Sequence, residues 1–422
     1  MKKRTIVSSL LALSILAALP QRTPAAVQKA QEALQDQTVG QETIQELPDT
    51  QETIEPQVII PAASTSKQSS TAIRITWDAA KDASVKYYYV MRRSTKNSIG
   101  KGAWTTIAEI EAEDASQDAS YTYTDKLKSS APQQYEYKIC TLFDLEGEAI
   151  DTRTDVYADA TNEAAAFGTN IKVCIDAGHF GTLNNNFTFT GADGNFPYSE
   201  AGFNLETAKA LQTELKDAYG IDSYLTRTKS SVSLSYGGKT YKNENLDQKN
   251  IAVRGYMAKA KDCDLFVSLH TNSTSRQTKT WSQPKSINKA YVFVNRPAHT
   301  SDIGMKIANA IGTSLTEYNQ EAGIQTAGFT KRSKNRAASF STIQNDAVKT
   351  NGTVIHRRSS SGSDYYGVLR GAAVDGVPGI LIEHAFHVTQ IVRKRAALST
   401  DLSENWAACD AYGIAYGYGF LK

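Results

Sequence analysis

From Ile171 to Tyr418 the chain alternates short, nearly continuous apolar runs with segments of helical spacing, and this rhythm narrows the fold more than any other feature. Ile171 to Ile175, Asp264 to Leu269, Ala290 to Val294 and Gly379 to Ile382 hold too few polar residues to leave one side in water. Such runs read as strands buried on both faces of a sheet, the usual state of parallel strands. Ile221 to Leu225 reads as a further strand. Asn204 to Tyr219 sets Leu205, Ala208, Leu211 and Leu215 on one helical face and stops at Gly220. Gln248 to Lys261, the series Ile303, Ile307, Ile311 and Leu315, and Leu402 to Tyr418 read as further helices. The alternation predicts one α/β domain over residues 168–422 with a largely parallel sheet.

The chain has 422 residues, and at roughly 150 residues per domain there is room for more than one. Between Ser69 and Asn162 the pattern shifts to period-two runs, among them Ile73 to Trp77, Lys86 to Val90, Thr105 to Ala108 and Tyr135 to Ile139. That periodicity predicts a small all-β sandwich over residues 69–162. Residues 27–68, rich in Gln, Glu, Thr and Pro, have too little apolar area to offset the entropy of ordering and read as a flexible linker. Lys2, Lys3 and Arg4 precede an apolar run from Ile6 to Leu19 and a small-residue segment from Thr23 to Ala26, so residues 1–26 read as a secretory signal peptide. The run is shorter than the roughly 20 residues that a span needs. A secreted chain with no stable membrane insertion after signal cleavage is therefore expected. With Lys+Arg at 46 and Asp+Glu at 44, the charge density that a nucleic-acid partner demands is missing. Cys140, Cys174, Cys263 and Cys409 form no CxxC pair. Cys174 and Cys263 read as small apolar packers, although secretion permits a disulfide.

Ligands of open α/β sheets sit beyond the carboxyl ends of the strands. The first strand ends Asp176-Ala177-Gly178-His179, the third ends Ser268-Leu269-His270-Thr271-Asn272, and the late one ends Ile382-Glu383-His384. Glu200 lies in the loop ahead of the first helix. His179, Glu200 and His270 are a suitable donor set for one catalytic zinc ion: two neutral imidazoles and a carboxylate, with a fourth tetrahedral position for water. Zinc lowers the pKa of that water and polarises a carbonyl. Glu383 is the candidate carboxylate for moving the proton. Taken singly, each histidine reads as a satisfied polar residue and Glu383 as a salt-bridge partner; their shared sheet edge favours the chemical reading.

These residues also carry a resemblance. Ile175 to His179, Glu200 with Asn204-Leu205, Leu225-Thr226-Arg227, Arg254, Phe266 to Asn272 and Leu381 to Phe386 resemble the catalytic domain of zinc-dependent N-acetylmuramoyl-L-alanine amidases of the amidase-3 type, over about residues 168 to 422. The resemblance implies His179, Glu200 and His270 as zinc ligands, Glu383 as the catalytic residue, and a sheet of about six strands with helices on both faces. It also implies a peptidoglycan substrate, the muramoyl peptide, and a secreted, cell-wall-associated hydrolase. Asn272, Arg227 and His384 are the candidate substrate contacts. Trp77, Tyr89, Thr122 to Asp125, Tyr135 and Tyr137 resemble a fibronectin type III domain, whose tyrosines offer a contact for wall polymer or simply pack the sheet.

Ala177, Phe180 and Thr389 depart from the amidase pattern, and none is an implied ligand. Two long loops, Thr182 to Ser199 with its Asn and aromatic residues and Glu317 to Gly367 with Arg332, Arg336, Arg357 and Arg358, read as specificity elements. Two rival readings stay open: a zinc peptidase cutting within the stem peptide, and a non-catalytic wall-binding protein.

Overall fold

The computed structural model describes residues 63–80, 85–95, 102–112, 120–143, 166–181, 198–273, 287–325, 346–347, 354–398 and 401–421. The expected signal peptide, most of the linker, and most of both specificity loops, with Arg332 and Arg336, lie outside them.

Seven strands form two antiparallel sheets. β1 (Ala63–Ser69), β2 (Ala72–Asp78) and β5 (Ser120–Lys126) make one; β3 (Val85–Ser94), β4 (Thr105–Glu111), β6 (Gln134–Phe143) and β7 (Ala166–Thr169) make the other. The period of two dictates the packing: Ile73, Ile75 and Trp77 of β2 point inward against Tyr88 and Val90 of β3 and Tyr137 and Ile139 of β6. Trp77 stacks on Tyr121 at 5.8 Å and meets Tyr88 edge-on at 5.9 Å. Asp125, buried towards the other end of β5, accepts hydrogen bonds from Arg92 Nη1 at 2.7 Å and Tyr137 OH at 2.6 Å. The outer limits differ from the expected ones. β1 lies within the stretch expected to be linker, because its polar residues satisfy their backbone groups on the edge of β2 without needing an apolar face. β7, at the start of the expected catalytic domain, pairs with β6, and only Asn170 and Ile171 separate it from the next strand.

The second region is an α/β domain. Its strands are β8 (Lys172–Ala177), β9 (Asp222–Leu225), β12 (Leu265–Asn272), β13 (Tyr291–Val294), β14 (Asp346–Ala347), β15 (Val354–His356) and β16 (Gly379–Phe386), in the order β14-β15-β13-β16-β12-β8-β9. β10 (Ser233–Tyr236) and β11 (Lys239–Lys242) form a separate hairpin. The sheet is mixed and, as expected, largely parallel: β16, β12, β8 and β9 are mutually parallel and β13 is parallel to β15, whereas β13 runs antiparallel to β16 and β14 to β15. A strand buried on both faces has the same apolar signature in either direction, so the run Ala290 to Val294 could not reveal the reversal.

Helices cover both faces. α1 (Glu200–Tyr219), α4 (Asp302–Glu321) and α7 (Asp401–Gly417) pack on one side through Leu211, Leu215, Ile307, Ile311, Trp406 and Ile414; α3 (Arg296–Thr300) caps β13, and α6 (Gln390–Leu398) adds Val392. α2 (Ala252–Ala260) and α5 (Gly367–Val374) cover the other side through Val253, Met257, Leu369 and Ala372. α2 and α5 touch backbone to backbone at Gly255 and Gly371, where any Cβ would overlap the facing helix. All four cysteines are buried and free. Among the described residues no helix is long and apolar enough to cross a membrane.

Candidate metal centre and active site

The carboxyl end of β8 is held from below by a buried carboxylate. Asp176 accepts hydrogen bonds from Arg254 Nη1 at 2.8 Å, Thr226 Oγ1 at 2.6 Å and Ser268 Oγ at 2.8 Å. Burial pushes its pKa up, but the Arg254 charge and these donors hold it below the ordinary value. Two guanidinium groups then grip the backbone that follows. Arg227 donates to the carbonyls of Ala177, Gly178 and Ala201, and Arg254 Nη2 donates to His179 O at 2.8 Å. Between these clamps His179 adopts a left-handed φ of 63°, a strained conformation for a residue with a side chain. Gly178 is required because a Cβ would overlap the His270 ring.

Glu200 is the first residue of α1, whose N-cap Ser199 accepts from Gly202 N at 3.1 Å. A carboxylate there is favoured by the helix dipole. Its Oε1 accepts from Thr271 N at 3.1 Å and lies 3.2 Å from His270 Nδ1; its Oε2 lies 3.6 Å from His179 Nε2. The two imidazoles meet edge-on at 4.9 Å. The three donor atoms lie within 4.8 Å of one another, and among the described residues this is the group of His, Cys, Asp and Glu side chains that can hold a metal ion. Two imidazoles and one carboxylate suit zinc and leave a coordination position for water. Burial opposes the shifts, yet attraction between the partners holds Glu200 well below the usual carboxylate pKa and lifts His179 to about 10. A bound cation displaces that proton.

Glu383, on β16, is the parallel register partner of His270. Its Oε2 is buried and has no hydrogen-bond partner among the described residues. Burial and, next, the Glu200 charge push its pKa well above the ordinary value, with His179 pulling the other way.

The expected substrate contacts divide. Asn272 sits half-buried at the end of β12, its Oδ1 accepting from Ser273 N. Arg227 is buried and committed to backbone carbonyls, and burial together with Arg254 lowers its pKa to about 10. His384 points to the opposite face of β16, 1% exposed, stacked on Trp406 at 4.9 Å, with Nε2 2.8 Å from Asp410 Oδ2. Arg227 and His384 are thus buried and engaged within the scaffold: adjacency to a motif gave no sign of which way either side chain turned. Sequence reasoning missed Asp247, which stands 3.2 Å from His179 Nδ1. No spacing signal marks it, since it lies in a polar stretch after the β10–β11 hairpin.

A mixed α/β sheet with a two-histidine, one-glutamate donor set at its strand ends is a framework suited to metal-assisted hydrolysis. Residues 173–416 match the Amidase_3 family, described as N-acetylmuramoyl-L-alanine amidase, and the chain belongs to that family. Similar solved structures include Cwp6 from Clostridium difficile, with 21% identity and a TM-score of 0.38 over 58% of this chain and 29% of that one. They also include the amidase AmiC2 of Nostoc punctiforme, with 20% identity and a TM-score of 0.34 over 58% of this chain and 96% of that one. Ami1 from Mycobacterium smegmatis is a third, with 17% identity and a TM-score of 0.37 over 59% and 97%. The chain spans less than a third of the length of Cwp6. No curated protein matches it.

Proposed function

We propose that the protein is a secreted peptidoglycan hydrolase that uses one zinc ion to cleave the amide between N-acetylmuramic acid and the L-alanine of the stem peptide. The observation that carries this reading is the convergence of His179, Glu200 and His270, with the orphaned buried oxygen of Glu383 beside them, in a chain of the amidase family. The ion would supply a Lewis acid and bring the pKa of its water towards ~7. His179, Glu200 and His270 hold it; Arg227 and Arg254 keep the His179 backbone in place. Glu383 takes the proton of the attacking water and returns it to the leaving amine nitrogen, a role that suits a carboxyl with a raised pKa. Asn272, half-buried at the carboxyl end of β12, is read as a substrate contact. Secretion rests on residues 1–26, with residues 27–62 as a tether. The sandwich of residues 63–169 is read as a fibronectin type III-like domain that contacts wall polymer.

Mass spectrometry of cell walls digested by the purified protein tests the reading. The expected products are stem peptides with a free L-alanine amino terminus, lost in chelator and restored by zinc. Shorter peptides with the sugar still attached would make the protein a stem peptidase, and binding without release a wall-binding protein.

A further inference from the structure

The His179 imidazole has two nitrogens with two different neighbours. Nε2 faces Glu200 at 3.6 Å, on the side of the donor cluster. Nδ1 faces away from it and lies 3.2 Å from both carboxylate oxygens of Asp247. A carboxylate can only accept a hydrogen bond, so Nδ1 must carry the proton in this pair. In the neutral ring this leaves the lone pair on Nε2, the nitrogen that faces the donor cluster.

Asp247 is itself fixed. It sits in a single π-helical turn, Asn245–Lys249, whose closing bond runs from Asn250 N to Asn245 O at 2.7 Å. The adjacent Leu246 side chain is fully buried in the core beneath α2. Leu246 O accepts from Arg254 Nε at 3.1 Å, while Nη2 of the same guanidinium donates to His179 O at 2.8 Å. One arginine therefore clamps the His179 carbonyl and the Leu246 carbonyl of the peptide that joins Leu246 to Asp247. Turns of this kind are uncommon and costly enough that their place next to a functional group is informative.

We propose that Asp247 is a positioning residue for metal binding: it orients the His179 ring and fixes its tautomer, so that Nε2 is presented as a donor alongside Glu200 and His270. The inference rests on the metal-hydrolase reading given above and adds to it the residue that sets ion affinity. Partners of this type strengthen the ligand's basicity as well as its orientation, and their loss costs about 10- to 100-fold in metal affinity. Asp247 needs no contact with substrate to act in this way.

Zinc affinity of the full chain, measured by competition with a chromophoric chelator, decides the matter for the parent, Asp247→Asn and Asp247→Ala. The carboxamide oxygen of the Asn variant can still accept from Nδ1, without the charge. The expected order is parent tightest, Asn intermediate and Ala weakest, with the Ala variant about 10- to 100-fold weaker than the parent. All three metal-free proteins are expected to melt cooperatively, the variants with a midpoint lowered by loss of the Asp247–His179 pair, and affinity is compared well below those midpoints so that a general loss of folding is separated from a loss at the site. In the cobalt-substituted proteins the visible bands of the Ala variant should shift, reporting a reoriented ligand. Equal affinity in all three proteins would overturn the positioning role while leaving the hydrolase reading intact. A parent that binds no zinc would overturn both.

Discussion

Glu383 faces two opposed demands at the residue scale. As the proposed proton carrier it stands in a buried place beside the Glu200 charge, and that place penalises its own charge in the folded protein. Its folded pKa is raised above the ordinary value of about 4.3, so its favourable share of stability is full below that pH and is lost as pH rises through the folded pKa. Glu383→Gln removes the loss. Thermal melts of the metal-free variant should therefore run above the parent at neutral pH and converge with it near pH ~4. A variant less stable than the parent at pH 7 would show that the carboxylate is held by a favourable partner. In the zinc-loaded protein the same substitution should leave metal content unchanged while turnover falls at least ~10²- to 10⁴-fold, the usual general acid/base contribution. Loss of zinc would instead make Glu383 a ligand, and unchanged turnover would make it structural. The sequence marked this residue because it ends a strand at the sheet edge that His179, Glu200 and His270 share; it was silent on Asp247, which a chain turn brings to His179 from a distant position.

Elements meet at Asp176, which ties β8 to Thr226 after β9, to Ser268 on β12 and to Arg254 on α2. Breaking a buried pair by removing one partner leaves the other charge uncompensated, at a cost of about 3–5 kcal/mol. Asp176→Ala should lower stability in denaturant unfolding by about that amount, and zinc affinity should fall with it because Arg254 also holds His179 O. A change below about 1 kcal/mol would show that Arg254 finds another acceptor. The pKa of Asp176 is lowered in the folded state, so its stabilisation is present above an unfolded value near ~3.9 and is lost as pH falls through the folded value. Acid unfolding of the parent should accordingly set in below about pH 4, and the Ala variant should lack that part of the slope. At this scale the strands and helices were largely legible in the sequence, because Leu211 and Leu215 on α1 or Val173 and Ile175 on β8 repeat at the period of the element that buries them. The direction of β13 was not legible, since Val292 and Val294 are buried equally well either way. Nor was β1, whose polar residues are held by edge pairing on β2 and by contacts with residues distant in sequence such as Asp264.

At the scale of the molecule, the sandwich and the α/β domain are not beads on a string: residues Val58–Lys422 form one compact unit. The Lys67 side chain, 2% exposed, reaches Asp264 at 3.1 Å and Asp262 at 3.2 Å, and its backbone N–H donates to Asp222. Lys216 at the end of α1 donates to Thr65 O, Gln134 Nε2 donates to Tyr219 O at 2.8 Å, and Asn170 Nδ2 donates to Ser70 O at 2.7 Å. Asp222 and Asp264 stand at the amino ends of β9 and β12, whereas His179 and His270 stand at the carboxyl end of the sheet. The six residues of β8 put about 20 Å between these two edges at ~3.3 Å per residue. Removing the sandwich should therefore weaken the fold without altering the chemistry. A chain beginning at Ala166 would leave β7 without its β6 partner and Asp264 without the Lys67 ammonium, so its thermal midpoint should fall. Its kcat on a small soluble muramoyl peptide, corrected for the folded fraction, should match that of the full chain. Calorimetry of the full chain supplies the second measurement: one cooperative transition is expected, moved down by Lys67→Ala. Two separate transitions, or an Ala166 chain as stable as the parent, would make the interface incidental and the sandwich an independent module.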